Sequence, residues 1–362
     1  KMEARLKANP QTFQLPTIPC DPDNPSDTNS FSPLSTNDFA APTGFAFSYE
    51  VPGVKMLSNN VFTFTTIGTD PDDTQAKDVI TVTFSPSGLF NYGIFGDQGV
   101  TLSGNGITDS YNSSNGAYAW SNHNTEGDVG TNAITGGAIS LSGNAKIYGD
   151  AMVGAGGDAA TGITTVGNAQ VVPPGEKCVA DEQKDIPTIT DPGGGTSLPV
   201  WNLSANSDTI SDGTYRLSGI NISGNVTGII NGDVTLYVTE NISISGNGEI
   251  QITAGSSLTL YASGTVSIGG NGICNNTNSP QNLQIYGTST CNSINVSGNG
   301  NLYAAIYAPF AAVRVTGNGD VYGSLIGNTI DIPGNGSVHY DESLENVGPI
   351  SGLKLLTWEL KS

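Results

Sequence analysis

Between residues 216 and 340, apolar and polar positions alternate in short runs, and each run closes on a Gly-Asn pair. The copies read INISGNV (220–226), ISISGNG (242–248), VSIGGNG (266–272), INVSGNG (294–300), VRVTGNG (313–319) and IDIPGNG (330–336). Looser copies lie upstream: VTLSGNG (100–106), ISLSGNA (139–145) and TTVGNA (164–169). Alternation sends one set of side chains inward and the next outward, as a half-buried strand does. Glycine followed by Asn or Gly supplies the positive φ that ends a strand in a tight bend. From Gly224 the closing glycines are Gly246, Gly270, Gly298, Gly317 and Gly334, in steps of 17 to 28 residues. Repetition in fixed phase at that length is the mark of a solenoid, whose units bury their apolar faces against one another. A hairpin meander would show two-residue turns between paired strands. The fold predicted is therefore mainly β: a right-handed parallel β-helix with aliphatic side chains stacked inside. Asn105, Asn144, Asn168, Asn225, Asn247, Asn271, Asn299, Asn318 and Asn335 would occupy its successive turns.

The flanking sequence divides the chain. Residues 1–9 are good helix formers that stop at Pro10, where proline ends helices, and read as the end of a longer helix. Residues 10–42, rich in Pro, Asn, Asp, Ser and Thr, read as an extended acidic arm. The alternating stretches within 43–90 predict a small antiparallel sheet, and 91–172 the first, irregular coils. Residues 173–200 break the pattern as a linker or excursion; regular coils occupy 201–345, and 346–362 is expected as a strand capping the solenoid.

Composition sharpens this picture. Gly is 48 of 362 residues and aromatics only 7%, which suits thin coils better than a bulky core. A net charge of -20 argues against nucleic acid and against electrostatic docking on anionic membranes. The four cysteines, Cys20, Cys178, Cys274 and Cys291, have no CxxC spacing, which disfavours zinc or redox chemistry. Cys274 and Cys291 flank one insertion and are expected to staple it; Cys20 with Cys178 would pin the N-terminal segment to the coils. The alternative is four reduced thiols. An even cysteine count in so acidic and Gly/Asn/Thr-rich a chain favours an oxidising, exported setting. The chain starts at Lys1 without an initiator Met and contains no run of about 18 apolar residues.

The wording of the coils resembles a known family. Residues 297–344 (SGNGNLYAAIYAPFAAVRVTGNGDVYGSLIGNTIDIPGNGSVHYDESL), 207–227 and 138–150 resemble the C-terminal repeats of PilX-type minor-pilin-like proteins of bacteria. The resemblance implies a type IV pilin-like membrane helix whose C-terminal end is EARLKANP (3–10), and TWEL (357–360) matches a common ending. The prepilin cleavage site and the hydrophobic helix are not in this sequence, so assembly with pilin-like subunits is implied by the resemblance alone. A weaker similarity is to bactofilins, cytoskeletal β-helices that polymerise end to end. Neither family supplies a catalytic residue.

Candidate chemistry is sparse. Lyase action on acidic sugars needs a cationic base and charge neutralisation, and the regular coils offer only Arg216 and Arg314. A glycosidase needs two carboxylates roughly 5–10 Å apart; Asp320, Asp331 and Asp341 are the candidates, and solvent-facing strand polarity explains them as well. His123 and His339 are far apart in sequence and suggest no shared site. Asp21, Asp23 and Asp27, and Asp70, Asp72 and Asp73, are hard oxygen ligands of the kind calcium takes, without the EF-hand pattern; no cofactor is required. The Asn-x-Ser/Thr sequons at Asn202, Asn221, Asn225, Asn241 and Asn295 mostly follow from the repeat. The function expected is a non-enzymatic extracellular structural protein, a pilin-like subunit that displays a β-helix at the cell surface and faces other subunits or a surface glycan. A self-polymerising filament and a carbohydrate-active enzyme are the alternatives.

Overall fold

The computed structural model describes residues 48–50, 54–58, 61–69, 77–298, 300–348 and 350–361. Two compact units emerge, one formed by 1–88 with 348–362 and the other by 89–347. The expected helix at 1–9 and the arm at 10–42 lie outside the described residues.

The first unit is an antiparallel sheet. Ser48–Glu50 and Val54–Ser58 both pair with Val61–Thr69, which pairs with Lys77–Gly88, which pairs with Ile350–Lys361. Threonines face one another across it: Thr63 Oγ1 donates to the Val82 carbonyl at 3.0 Å, and Thr83 stands directly opposite. The last strand, expected as a cap on the solenoid, forms an edge of this sheet. Val338–Asp341, the final coil strand, already pairs with Ile107–Tyr111, so the chain leaves the solenoid where no open end needs covering.

The second unit is a 24-stranded sheet coiled on itself, with its ladders parallel throughout. Each turn contributes to three faces. The Gly-Asn phrases build the first face, and their alternation sets what is buried: Ile220 and Ile222, Ile242 and Ile244, and Val266 and Ile268 are at most 1% exposed, whereas Asn221 and Ser267 between them are exposed. Stacked aliphatics from every turn form one continuous core. Full burial of each such side chain stabilises by roughly 1.5–3 kcal/mol, and a turn removed from the stack would keep none of it.

The coils do not stack in chain order. Along the first face the strands run Trp201–Leu203, Ile220–Ile222, Ile242–Ile244, Val266–Ile268, Ser293–Val296, then the distal parts of Leu302–Val315 and Val321–Gly334. The next neighbour is the distal part of Ile94–Gly104, followed by Ile139–Gly143 and Ile163–Gly167. The chain's first coil thus nests against its last, in register from Leu325↔Ile94 to Gly334↔Gly104. The chain starts in the middle of the solenoid, builds to one end at Lys177–Val179, crosses to the far end at Thr196–Ser197, and winds back to its starting point.

Residues 180–195, between those two ends, form the crossing and lie along the third face. That face carries an outward column Arg216, Tyr237, Tyr261, Tyr286, Tyr307, Ile326, Phe95, each in register with the next. The strap covers it: Ile189 is 2% exposed and joins Phe90, Phe95, Tyr286, Tyr307 and Tyr340 in a second apolar cluster outside the coil. At the 201 end Trp201 fills the coil, its indole lying where a Cβ on Gly228 would stand 2.6 Å away, and its Nε1 donates to Asp208 at 3.0 Å. At the opposite end the inward position is Thr165, a polar residue where inner turns carry Leu141 and Leu102.

At the junction of first and last coils, Gly104 has φ +100, and a Cβ there would lie 1.9 Å from the Gly334 carbonyl oxygen. Gly104→Ala should lower stability by roughly 3 kcal/mol or more, strain and collision together. Gly116→Ala, also at positive φ but with open space around it, should cost about 1–2 kcal/mol. Equilibrium denaturation of the two variants checks the difference.

Candidate functional site

The surface feature the fold creates most extensively is the outward side of the first face. One register line passes through Asn202, Asn221, Ser243, Ser267, Asn295, Arg314, Asp331, Thr101, Ser140 and Thr164. At a strand spacing of about 4.8 Å the line extends roughly 43 Å. Eight of its ten members are short amides or hydroxyls, and the two charges cancel: Arg314 Nε lies 3.1 Å from Asp331 Oδ2. A protein of net charge -20 therefore presents a neutral, evenly spaced row of hydrogen-bonding groups here.

The turn asparagines form a second row beside it. Asn168 donates to Asn144 (3.0 Å), Asn144 to Asn105 (2.7 Å), Asn105 to Asn335 (2.7 Å) and Asn335 to Asn318 (3.2 Å). Elsewhere Asn247 donates to Asn225 (2.8 Å), and Asn271 to the Asn247 carbonyl (3.2 Å). Each amide gives its N–H to the neighbour on the same side, so the ladder is polarised along the axis. Asn299 lies outside the described residues.

On the second face the last and first coils bring Tyr303, Tyr322, His339 and Asp109 into one column. His339 and Asp109 are 3% and 0% exposed, and His339 Nδ1 meets Asp109 Oδ1 at 2.5 Å. On the ring's other side Nε2 lies 3.8 Å from Asp320 Oδ2. Tyr118, from the 112–128 loop, covers the pair: its ring centroid is 3.8 Å from that of His339 and its hydroxyl donates to Asp109 at 2.7 Å. Burial opposes the His339 charge, yet its hydrogen bonds to Asp109 and Asp320 prevail and raise its pKa above the ordinary value. Asp341, wholly buried, receives the amide N–H groups of Ser113 and Ser343. Nearby Asp128 is pushed up to about 6 by burial.

The strap is fixed at both ends. Lys184 exchanges backbone hydrogen bonds with the Asn132 side chain (2.8 and 2.9 Å), and its ammonium, pushed down to about 8 by burial, sits over Tyr92 and Phe95. In the middle the Tyr307 hydroxyl donates to the Pro187 carbonyl at 2.7 Å. At the far end Asp191 takes two 2.7 Å hydrogen bonds from Arg216, whose guanidinium also lies over Tyr237. Both cations of the regular coils are thus spent on structure.

Other predicted positions fall differently. Cys274 and Cys291 are free thiols, as is Cys178. The expected staple fails on parity: Cys274 is in register with Gln251 and points outward to Asn276, whereas Cys291 is wholly buried in the core. Cys178 lies against the Ala151 carbonyl. Cys20 and all six loop aspartates, Asp21, Asp23, Asp27, Asp70, Asp72 and Asp73, lie outside the described residues. Among the described residues no group of three or more His, Cys, Asp or Glu is placed to hold a metal ion. Asp331 belongs to the first face, and Asp320 and Asp341 to the second-face junction, so the three carboxylates do not converge. The His339–Asp109 pair escaped the sequence because 230 residues separate its members. The strap had a signal, since Tyr237, Tyr261, Tyr286 and Tyr307 recur at one position of successive repeats and call for a cover.

Residues 176–347 match the model of a family described as a domain of unknown function, DUF7305. No curated protein matches the chain. Solved structures with which it can be aligned include the DUF3494 domain of ice-binding protein 1 from Shewanella frigidimarina, at 14% identity, 70% of this chain, 95% of that one and a TM-score of 0.31. The competence-associated pilin ComZ from Thermus thermophilus aligns at 12% identity over 91% of this chain and 87% of that one, with a TM-score of 0.24. An ice-binding protein from an Arctic yeast aligns at 14%, 69%, 90% and 0.30.

Asp191→Ala removes the strap's distal anchor while leaving Ile189 and Lys184 in place. Limited proteinase K digestion should then cut within 185–195 faster than in the parent chain. Far-ultraviolet circular dichroism should be unchanged.

Proposed function

We propose that this chain is a non-enzymatic extracellular structural protein, a pilin-like subunit that holds a β-helix at the cell surface as part of a pilus or surface filament. The observation that carries the proposal is the long neutral face: a stiff, regularly spaced row of Asn, Ser and Thr is left open while the third face is closed by the strap. Stiffness follows from the stack, because backbone groups of inner turns bond to the turns on either side, and all three faces belong to one core. The neutral row suits an uncharged partner rich in hydroxyl groups, such as a surface glycan, and the chain's overall acidity disfavours polyanions. Pilin character rests on the resemblance of residues 297–344, 207–227 and 138–150 to PilX-type repeats. Three of the charged or titratable side chains have structural engagements that support this reading: Arg216 holds Asp191, Arg314 holds Asp331, and His339 is sealed beneath Tyr118.

Negative-stain microscopy of the purified chain, paired with an assay for reducing ends released from neutral polysaccharides, tests this reading. It predicts monodisperse short rods and no release. Ordered filaments would favour self-polymerisation, and sugar release would make the chain an enzyme. Ser243→Glu with Ser267→Glu charges two adjacent positions of the row without touching the core, and should reduce adhesion of cells displaying the protein at least tenfold.

A further inference from the structure

The second-face junction contains a buried charge cluster that display alone does not require. His339 belongs to the last coil and Asp109 to the first, and each is at most 3% exposed. Hydrophobic packing and the parallel ladder would join these coils without a histidine, as they join every other pair of turns. A buried histidine between two carboxylates instead makes the joint depend on a proton. We infer that the junction of first and last coils is a proton-operated latch, in which protonated His339 holds Asp109 and Asp320 together beneath Tyr118.

The groups facing His339 come from four places. Asp109 approaches from Ile107–Tyr111 and Asp320 from the turn before Val321–Gly334. Tyr118 lies over the ring from the 112–128 loop, and Tyr322 lies 4.9 Å from it. Burial raises both phenols, Tyr322 to about 12 and Tyr118 further, so they remain neutral. Asp320 is drawn below the ordinary carboxylate range; burial opposes this, but the His339 hydrogen bond outweighs it. When the imidazole loses its proton, two carboxylates remain around a neutral ring, one of them fully removed from water. The elements that would loosen are the first coil, 94–111, and the loop that follows. Glu342 ties that loop to the last coil by accepting from Ser110 and Asn124, both at 2.8 Å.

The direction follows from linkage. A histidine whose folded pKa is raised contributes stability that is fully present below the unfolded value, about 6.5, and lost as pH rises through the folded value. Asp128 also titrates in the folded protein, but its stabilising contribution is lost between roughly 4 and 6. The latch acts above that window.

The chain has two histidines, so imidazole resonances of the wild-type protein can be assigned from His123 and His339 alone. The latch predicts that His339 titrates above the ordinary histidine value, about 6.5. Hydrogen-exchange protection in 94–128, measured relative to coils 220–296, should fall at least tenfold as the pH rises through that titration, whereas His339→Gln should show a flat ratio. A His339 titration below the ordinary histidine value overturns the latch. So does a pH-dependent ratio that survives in His339→Gln. If the variant does not fold, the wild-type titration and exchange profile decide on their own.

Discussion

The structure depends on one ladder, the parallel pairing of Ile94–Gly104 with Val321–Gly334. Every other turn of the solenoid is joined to at least one neighbour by a short loop. This pair is joined only by backbone hydrogen bonds, stacked aliphatics and a few side-chain contacts across 230 residues of sequence. Ordering such a contact costs loop-closure entropy early and returns stability late. Two halves of a solenoid, one built outward from residue 94 and one wound back from residue 196, therefore become a single core only when this joint closes. Gly104 meets the Gly334 carbonyl there because no larger residue fits at 104, and Asn105 and Asn335 continue the amide ladder across it.

Closure at the middle explains features that a solenoid stacked in chain order would lack. The chain must cross from one end to the other, and residues 180–195 do so along the tyrosine column, burying Ile189 and meeting Arg216 at the far side. Neither end of the stack is a chain terminus, so each is finished locally: Trp201 fills one, and Thr165 replaces an inward leucine at the other. The terminal strand completes the antiparallel sheet. The result is a stiff body with one face covered and one long neutral face open, the arrangement on which the proposed surface role rests.

Much of this was legible in the residues. The alternation in ISISGNG or IDIPGNG specifies a strand, its buried face and its closing turn, and the coils form where those phrases occur. The order of the coils was not legible, because VTLSGNG (100–106) and IDIPGNG (330–336) are equivalent as patterns and any copy could neighbour any other. For the same reason Asp109 and His339 could not be paired: their adjacency is a property of coil order. The cysteine staple was misjudged because spacing says how far apart Cys274 and Cys291 are, not which side of the coil each faces. The excursion at 173–200 was visible as a break in pattern, and its apolar residues Ile186 and Ile189, opposite a recurring tyrosine, show what it covers.

A cross-link across the joint tests the central claim most directly. Adjacent parallel strands place paired Cα atoms about 4.8 Å apart, within disulfide range. The double variant Asn105→Cys, Asn335→Cys, oxidised under native conditions and digested, should yield one peptide pair linking the first and last coils and an unaltered circular dichroism spectrum. Asn105→Cys with Asn225→Cys, which a joint between residues 104 and 334 keeps many turns apart, should not cross-link. Failure of the first pair with formation of the second would contradict the nested order of the coils and everything argued from it.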